Sequence, residues 1–192
     1  MEILANGVGL SAVVFFPLIS ALVITFIPKS QESLIKGFAL VSSLITFLLS
    51  GLLLFEFDFS SADKLQLGNK ISWIQSINAN YEIGIDGISL PLLVLSTFIT
   101  VLAIIYSIEH LPEPKSPKGF LALILVLETG MNGTFVALDL ILFFVFFEIV
   151  LLPMYFMIGI WGDRTVRTVA GFKNQIETRL YASIKFFVFT LF

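Results

Sequence analysis

Residues 139–162 read DLILFFVFFEIVLLPMYFMIGIWG. Between Asp139 and Gly162 the one charged side chain is Glu148, with no lysine or arginine in the stretch. A helix rising about 1.5 Å per residue needs roughly 20 mostly apolar residues to cross a hydrocarbon core of about 30 Å. This run meets that length, so it reads as a membrane span with a carboxylate at its middle. Working outward, runs at 8–27, 35–55, 87–107 and 119–138 qualify in the same way as 139–161. A sixth begins near Leu180 and runs to Phe192. The expected fold is an all-α, polytopic transmembrane helix bundle of five complete spans plus the start of a sixth. The segment 180–192 would rise only about 20 Å, so the sequence is expected to be the N-terminal piece of a larger polytopic protein.

Composition points the same way. The chain is 57% hydrophobic and 13% charged, with 21 phenylalanines; soluble domains carry about 25% charged residues. The formal charge of −3 comes without a basic patch, so no nucleic-acid partner is expected. Cysteine is absent, which excludes disulfides, thiolate metal sites and iron–sulfur ligands within these residues. His110 is the one histidine and lies in the Pro-rich loop EHLPEPKSPK, where a solvated loop residue is the better reading than a metal ligand. Gly7-Val8-Gly9 has no following strand, turn and lysine, so it is no phosphate loop. No nucleotide, flavin or haem motif is present, and no cofactor is expected in this chain. The first apolar run follows Glu2 rather than lysines and has no A-x-A-like site after it, so it is expected to remain as a span.

The connections alternate in charge. Lys29, Lys36, Lys115, Lys118, Arg164, Arg167, Lys173 and Arg179 fall in or beside the loops 28–34, 108–118 and 162–179, whereas Lys64 and Lys70 alone fall in 56–86. The positive-inside bias places the N-terminus outside and the 162–179 loop in the cytoplasm. Trp73, Tyr81 and Trp161 suit interfacial positions. Asp86 can cap the third helix, with Pro91 still near its first turns, and Asp139 can cap the fifth. The fourth helix holds Gly130, Gly133 and Ala137, and Gly133-x-x-x-Ala137 is a small-x-x-x-small pattern that permits close helix contact. Asn132-Gly133-Thr134 matches a glycosylation pattern but lies inside a span.

Three charges lie within spans: Glu128, Glu148 and Lys185. A charge at bilayer depth costs at least about 2.5–3.5 kcal/mol, so such residues face protein or water and find partners. Glu148 is too deep for a short side chain to reach the interface, which favours a site in a proton or cation path over simple packing. Pro153 lacks an N–H, so the carbonyl of Ile149 loses its helical partner and the helix can bend there. Lys185 either snorkels to the interface or relays protons within the membrane. Glu128, with Thr129, Asn132 and Thr134 nearby, fits a pathway role or a packing role.

The stretches YEIGIDGISLPLLVLSTFIT, FVALDLILFFVFFEIVLLPMYFMIGIWG and YASIKFFVFTLF carry a family resemblance. Over essentially the whole of 1–192 the chain resembles the subunit M family of bacterial respiratory complex I, the proton-pumping NADH:quinone oxidoreductase. The resemblance implies an antiporter-like subunit of fourteen helices with two inverted five-helix bundles. Glu148 matches the family's fifth-helix glutamate of the proton channel, and Lys185 matches the lysine of its K-F-F stretch. The main channel lysine lies on the family's seventh helix, beyond Phe192, and Glu128 has no matching role. The implied partners are other membrane-arm subunits, the lipid bilayer and protons, in a bacterial inner membrane. NADH, FMN, iron–sulfur clusters and quinone would be handled by other subunits. Multisubunit cation/proton antiporters and membrane-bound hydrogenases of the same superfamily remain alternatives.

Overall fold

The computed structural model describes residues 7–167 and 176–191. Its helices are α1 (Val8–Phe26), α2 (Glu32–Glu56), α3 (Ser89–Glu109), α4 (Pro117–Val136), α5 (Leu140–Trp161) and α6 (Thr178–Leu191). α1 to α5 are long and apolar enough to cross a membrane, and each overlaps its expected span with ends differing by at most three residues. Lys173 and Phe192, which entered the charge balance and the last expected span, lie outside the described residues. α1 touches α2 and α4, α2 also touches α3 and α4, and α3 touches α4. α5 packs on the outside of α4, and α6 on α5. Phe26 and Phe55 are among the large apolar side chains pointing outward from α1 and α2, the surface that a bilayer accepts.

The segment 56–86, expected only as an outer-face loop, contains a β-hairpin. β1 (Gln66–Ile74) runs antiparallel to β2 (Ala79–Ile85), with Lys70 opposite Glu82. The Lys70 ammonium lies 2.7 Å from Glu82 Oε2. Asn78 closes the turn with φ 53°, a left-handed conformation that asparagine tolerates. A second, two-residue pairing joins β3 (Val166–Arg167) to β4 (Ile176–Glu177). The result is a helical membrane bundle with hairpin trim, not helices alone.

The hairpin stitches one end of the bundle together. Tyr81 Oη lies 2.9 Å from Ser11 Oγ on α1, and the Leu138 N–H donates to the Glu82 carbonyl at 2.9 Å. Ile83 pairs with Ala137 in an isolated bridge. Gly7, with φ 71°, starts α1 where an added Cβ would run into Asn69 Cβ at 2.5 Å. At the opposite end Lys118 Nζ donates to the last-turn carbonyl of Ile27 at 2.8 Å, and Trp161 Nε1 donates to Pro114 O at 2.9 Å. The Lys118 cation thus sits at the negative end of the α1 dipole.

Two apolar clusters fill the bundle. The one at the hairpin end includes Val14, Leu53, Leu93, Val136 and Phe146. The one at the other end includes Ala21, Ala39, Ile104 and Leu125. Between them each inner helix turns polar on its buried face. α1 carries Pro17 and Ser20 there, and α2 carries Ser42, Ser43, Thr46 and Ser50. α3 contributes Ser96, Thr97 and Thr100, and α4 contributes Glu128, Thr129 and Asn132. Ser50 and Thr97 meet across α2 and α3 at 2.8 Å. Most of these hydroxyls also turn back onto a carbonyl of their own helix, as Thr46 does onto Ser42 at 3.1 Å, which keeps them satisfied without water.

Candidate functional site

α5 is held in place by Asp139, the residue just before it, and by two glycines of α4. Asp139 Oδ1 accepts from the N–H groups of Ile141 at 2.8 Å and Leu142 at 3.2 Å, so the expected cap forms. Its Oδ2 accepts from the Asn80 N–H of β2 at 3.0 Å. These backbone donors, Asn80 foremost, hold the Asp139 carboxyl below its usual range. Asp86 behaves alike at α3: its Oδ1 accepts from Ser89 N at 2.7 Å and Ile88 N at 3.0 Å, while Ser89 Oγ accepts from Asp86 N at 2.9 Å. That reciprocal capping lowers its proton affinity, with the Ser89 N–H the largest cause.

Close packing of α4 on α5 depends on Gly130 and Gly133. A Cβ at Gly130 would lie 2.7 Å from Val150 Cγ2 and 3.0 Å from the Val150 nitrogen. A Cβ at Gly133 would enter the ring of Phe146. The expected pairing of Gly133 with Ala137 is therefore corrected. Ala137 lies just past the end of α4 and pairs with the hairpin, while Gly130 and Gly133 form the small face.

Glu148 occupies the middle of α5, half-buried, on a groove of about 480 Å³ between α5 and α6. The groove is apolar apart from Glu148, with Phe144, Ile149, Leu152 and Phe187 among its walls. No lysine or arginine among the described residues forms an ion pair with Glu148. α5 continues through the buried Pro153 without a break in its helical assignment. The missing N–H leaves the Ile149 carbonyl, beside Glu148, without its usual donor. Glu148 and the carbonyl freed by Pro153 are thus adjacent along an unbroken α5.

Lys185 lies on the exposed side of α6. Its ammonium is 5.7 Å from the ring centres of both Tyr181 and Phe189, one turn before and after it. Such cation–π contacts suit a lysine beside aromatic rings. The fold brings Lys185 onto the helix that walls the Glu148 groove, but it forms no ion pair with Glu148.

Glu128 is on the other side of the matter. It is 0% exposed, and neither carboxyl oxygen has a hydrogen-bond partner among the described residues. Its expected polar neighbours do not serve it: Thr129 bonds Leu125 O at 3.2 Å and Thr134 bonds Gly130 O at 2.8 Å. Asn132, one turn on, donates through Nδ2 to Val13 O at 3.4 Å. That carbonyl is available because Pro17 carries no N–H to bond it. Pro17 was visible in the sequence as a mid-helix proline, but its partner on α4 was not. His110 is exposed and stacks on Tyr106, with ring centres 4.6 Å apart.

Comparison with known proteins adds the family. Residues 12–134 match the model for the amino terminus of NADH-ubiquinone oxidoreductase chain 4. Residues 137–192 match the model described as NADH:quinone oxidoreductase/Mrp antiporter, TM. Over 98% of its length the chain is 36% identical to NAD(P)H-quinone oxidoreductase chain 4 of Prochlorococcus marinus, covering 32% of that protein. Against NADH-quinone oxidoreductase subunit M of Rickettsia typhi it is 35% identical, covering 95% of the chain and 35% of the relative. F(420)H(2) dehydrogenase subunit M of Methanosarcina mazei is also 35% identical, over 94% of the chain and 33% of the relative. The chain spans about a third of the length of the curated relatives it matches. With five helices able to cross a membrane and a chain 4 match over most of its length, the protein is a multi-pass membrane protein of the NADH-ubiquinone oxidoreductase chain 4 family.

Proposed function

We propose that these residues form part of a proton-translocating membrane subunit of an NADH:quinone oxidoreductase, and that Glu148 is a proton-carrying group in it. The observation that carries this reading is Glu148 itself, a carboxylate at mid-span on an otherwise apolar groove. Leaving a charge there unpaired is costly, so its retention calls for a partner that arrives and departs. Pairing with a cation favours the ionised carboxylate, and separation favours the protonated one. A group of this kind can take a proton from one side of a membrane and release it to the other. Lys185, on the helix facing the groove, is assigned a relay role from the cytoplasmic end.

Electron transfer would be performed elsewhere in the complex. NADH, FMN, iron–sulfur clusters and quinone belong to other subunits on this reading, and this chain contributes the coupled proton step of a translocase. A relative named for F(420)H(2) rather than NADH supports that division, because the donor can differ while this part of the chain stays similar. The partners are the other membrane-arm subunits and the lipid of a bacterial plasma membrane, with the N-terminus outside. The basic residues near 28–34, 108–118 and 162–179 support that orientation.

The test is Glu148→Gln in the full-length subunit within its assembled complex. NADH oxidation and proton uptake into vesicles are measured together. Fewer protons moved per NADH oxidised is the expected result, and an unchanged ratio rejects the assignment. The family description that includes Mrp antiporters keeps cation/proton exchange as a second reading. Sodium-dependent exchange without NADH:quinone activity would select it.

A further inference from the structure

Outside the Glu148 groove, the strongest concentration of unused chemistry is the polar belt inside α1 to α4. Apolar clusters lie towards both ends of it. Within it both oxygens of Glu128, Oδ1 of Asn132 and the hydroxyls of Ser42 and Ser96 are buried without a hydrogen-bond partner among the described residues. Glu128 and Asn132 are 0% exposed, Ser42 2% and Ser96 8%. Glu128 and Asn132 are four residues apart on α4 and so share one face of that helix. Asn132 is fixed from behind by the Val13 carbonyl at 3.4 Å, which leaves its own oxygen free to accept.

The chemistry of these atoms selects the ligand. The amide oxygen accepts, and a carboxyl accepts when ionised and can also donate when protonated. No cation is supplied among the described residues, and Lys185 lies exposed on α6, away from this belt. Buried water characteristically makes about three hydrogen bonds to groups that the protein leaves unpaired. A bare carboxylate without a cation is the more expensive alternative. We propose that Glu128 and Asn132, one turn apart on α4, form an internal water-binding site in which the Glu128 carboxyl exchanges its proton with bound water. This is a second acid site, on α4 rather than α5, and it does not depend on the role given to Glu148.

Two readouts on the complete complex test it. A structure of the complex at a resolution that shows ordered water should place water within hydrogen-bond reach of Glu128 and Asn132 Oδ1. A dry site, with the carboxyl bonded to protein instead, overturns the proposal. Infrared spectra in H2O and D2O should contain a protonated-carboxyl band that shifts on deuteration and is lost in Glu128→Gln. A Glu128 band that stays unshifted, or the loss of no such band, overturns it as well. Neither readout measures proton pumping, so a failed Glu148 assignment would leave this result standing. Glu128→Leu, which fills similar space without polar atoms, guards against misfolding: it should assemble and lack both the water and the band. Water at an unchanged position in that variant would reject Glu128 as its ligand.

Discussion

One carboxylate joins the hairpin to the helix of Glu148: Asp139 accepts the Asn80 N–H at 3.0 Å while capping α5 through Ile141 at 2.8 Å. The two bonds use different oxygens of one side chain, so a single carboxylate ties β2 to the start of α5.

Asp139→Ala should therefore lower the thermal stability of the assembled subunit by a few degrees, with Asp139→Asn intermediate. The pH dependence follows from the lowered proton affinity of the folded carboxyl. Its stabilisation is present above the ordinary aspartate value of about 3.9 and is lost as pH falls through the lower folded value. Melting curves of wild type and Asp139→Asn should differ by a constant amount near neutrality and converge in acid. Curves that diverge as pH falls would contradict this account.

Asp86 caps α3 with no contact to α5, which makes it the control for the hairpin tether. Asp86→Ala should cost about 1 kcal/mol, the usual loss for a removed N-cap. Proteolysis of the hairpin in native membranes should rise in Asp139→Ala more than in Asp86→Ala. Equal susceptibility would assign Asp139 a capping role alone.

Gly133→Ala should cost about 1–3 kcal/mol, as overpacked core positions do, because its methyl would meet the Phe146 ring. Phe146→Leu in the same chain should recover part of the loss. Immunoblots of assembled subunit report both. Failure of the second change to help would mean that backbone contact at Gly130, not the ring, sets the helix separation.

Pro17 and Asn132 should be coupled. Asn132→Leu removes the donor to the Val13 carbonyl at a cost of about 1 kcal/mol, a usual scale for polar contacts between membrane helices. In a Pro17→Ala background the restored N–H of residue 17 can bond that carbonyl, so this part of the Asn132 loss should shrink. A double-mutant cycle with additive effects would dissociate the two residues.

The spans and caps were legible because both are local. Twenty apolar residues specify a membrane helix without reference to the rest of the chain, and Asp86 and Asp139 cap donors two and three residues away. The hairpin was not legible for a physical reason. β1 is mostly exposed, its burial does not alternate, and its pairing with β2 is interrupted twice. A strand without a buried face leaves no period of two in its sequence. The small-residue reading held at Gly130 and Gly133 and failed at Ala137 alone, because α4 ends at Val136. Glu148 stood out by charge alone. The isolation of Glu128 did not, because the neighbouring threonines only look like partners until their hydroxyls turn onto their own helix.

The Asp139 tether has a rotational consequence. From Asp139 to Glu148 is nine residues, or about two and a half helical turns at 3.6 residues per turn. Phe146 lies on nearly the same side of α5 as Asp139, and Glu148 about half a circle away. Anchoring Asp139 to β2 thus works as a compass setting: it fixes the azimuth of α5, turning Phe146 to the glycines of α4 and Glu148 to the open groove. The hairpin at the end of the bundle thus sets the direction in which a mid-span carboxylate faces without touching it.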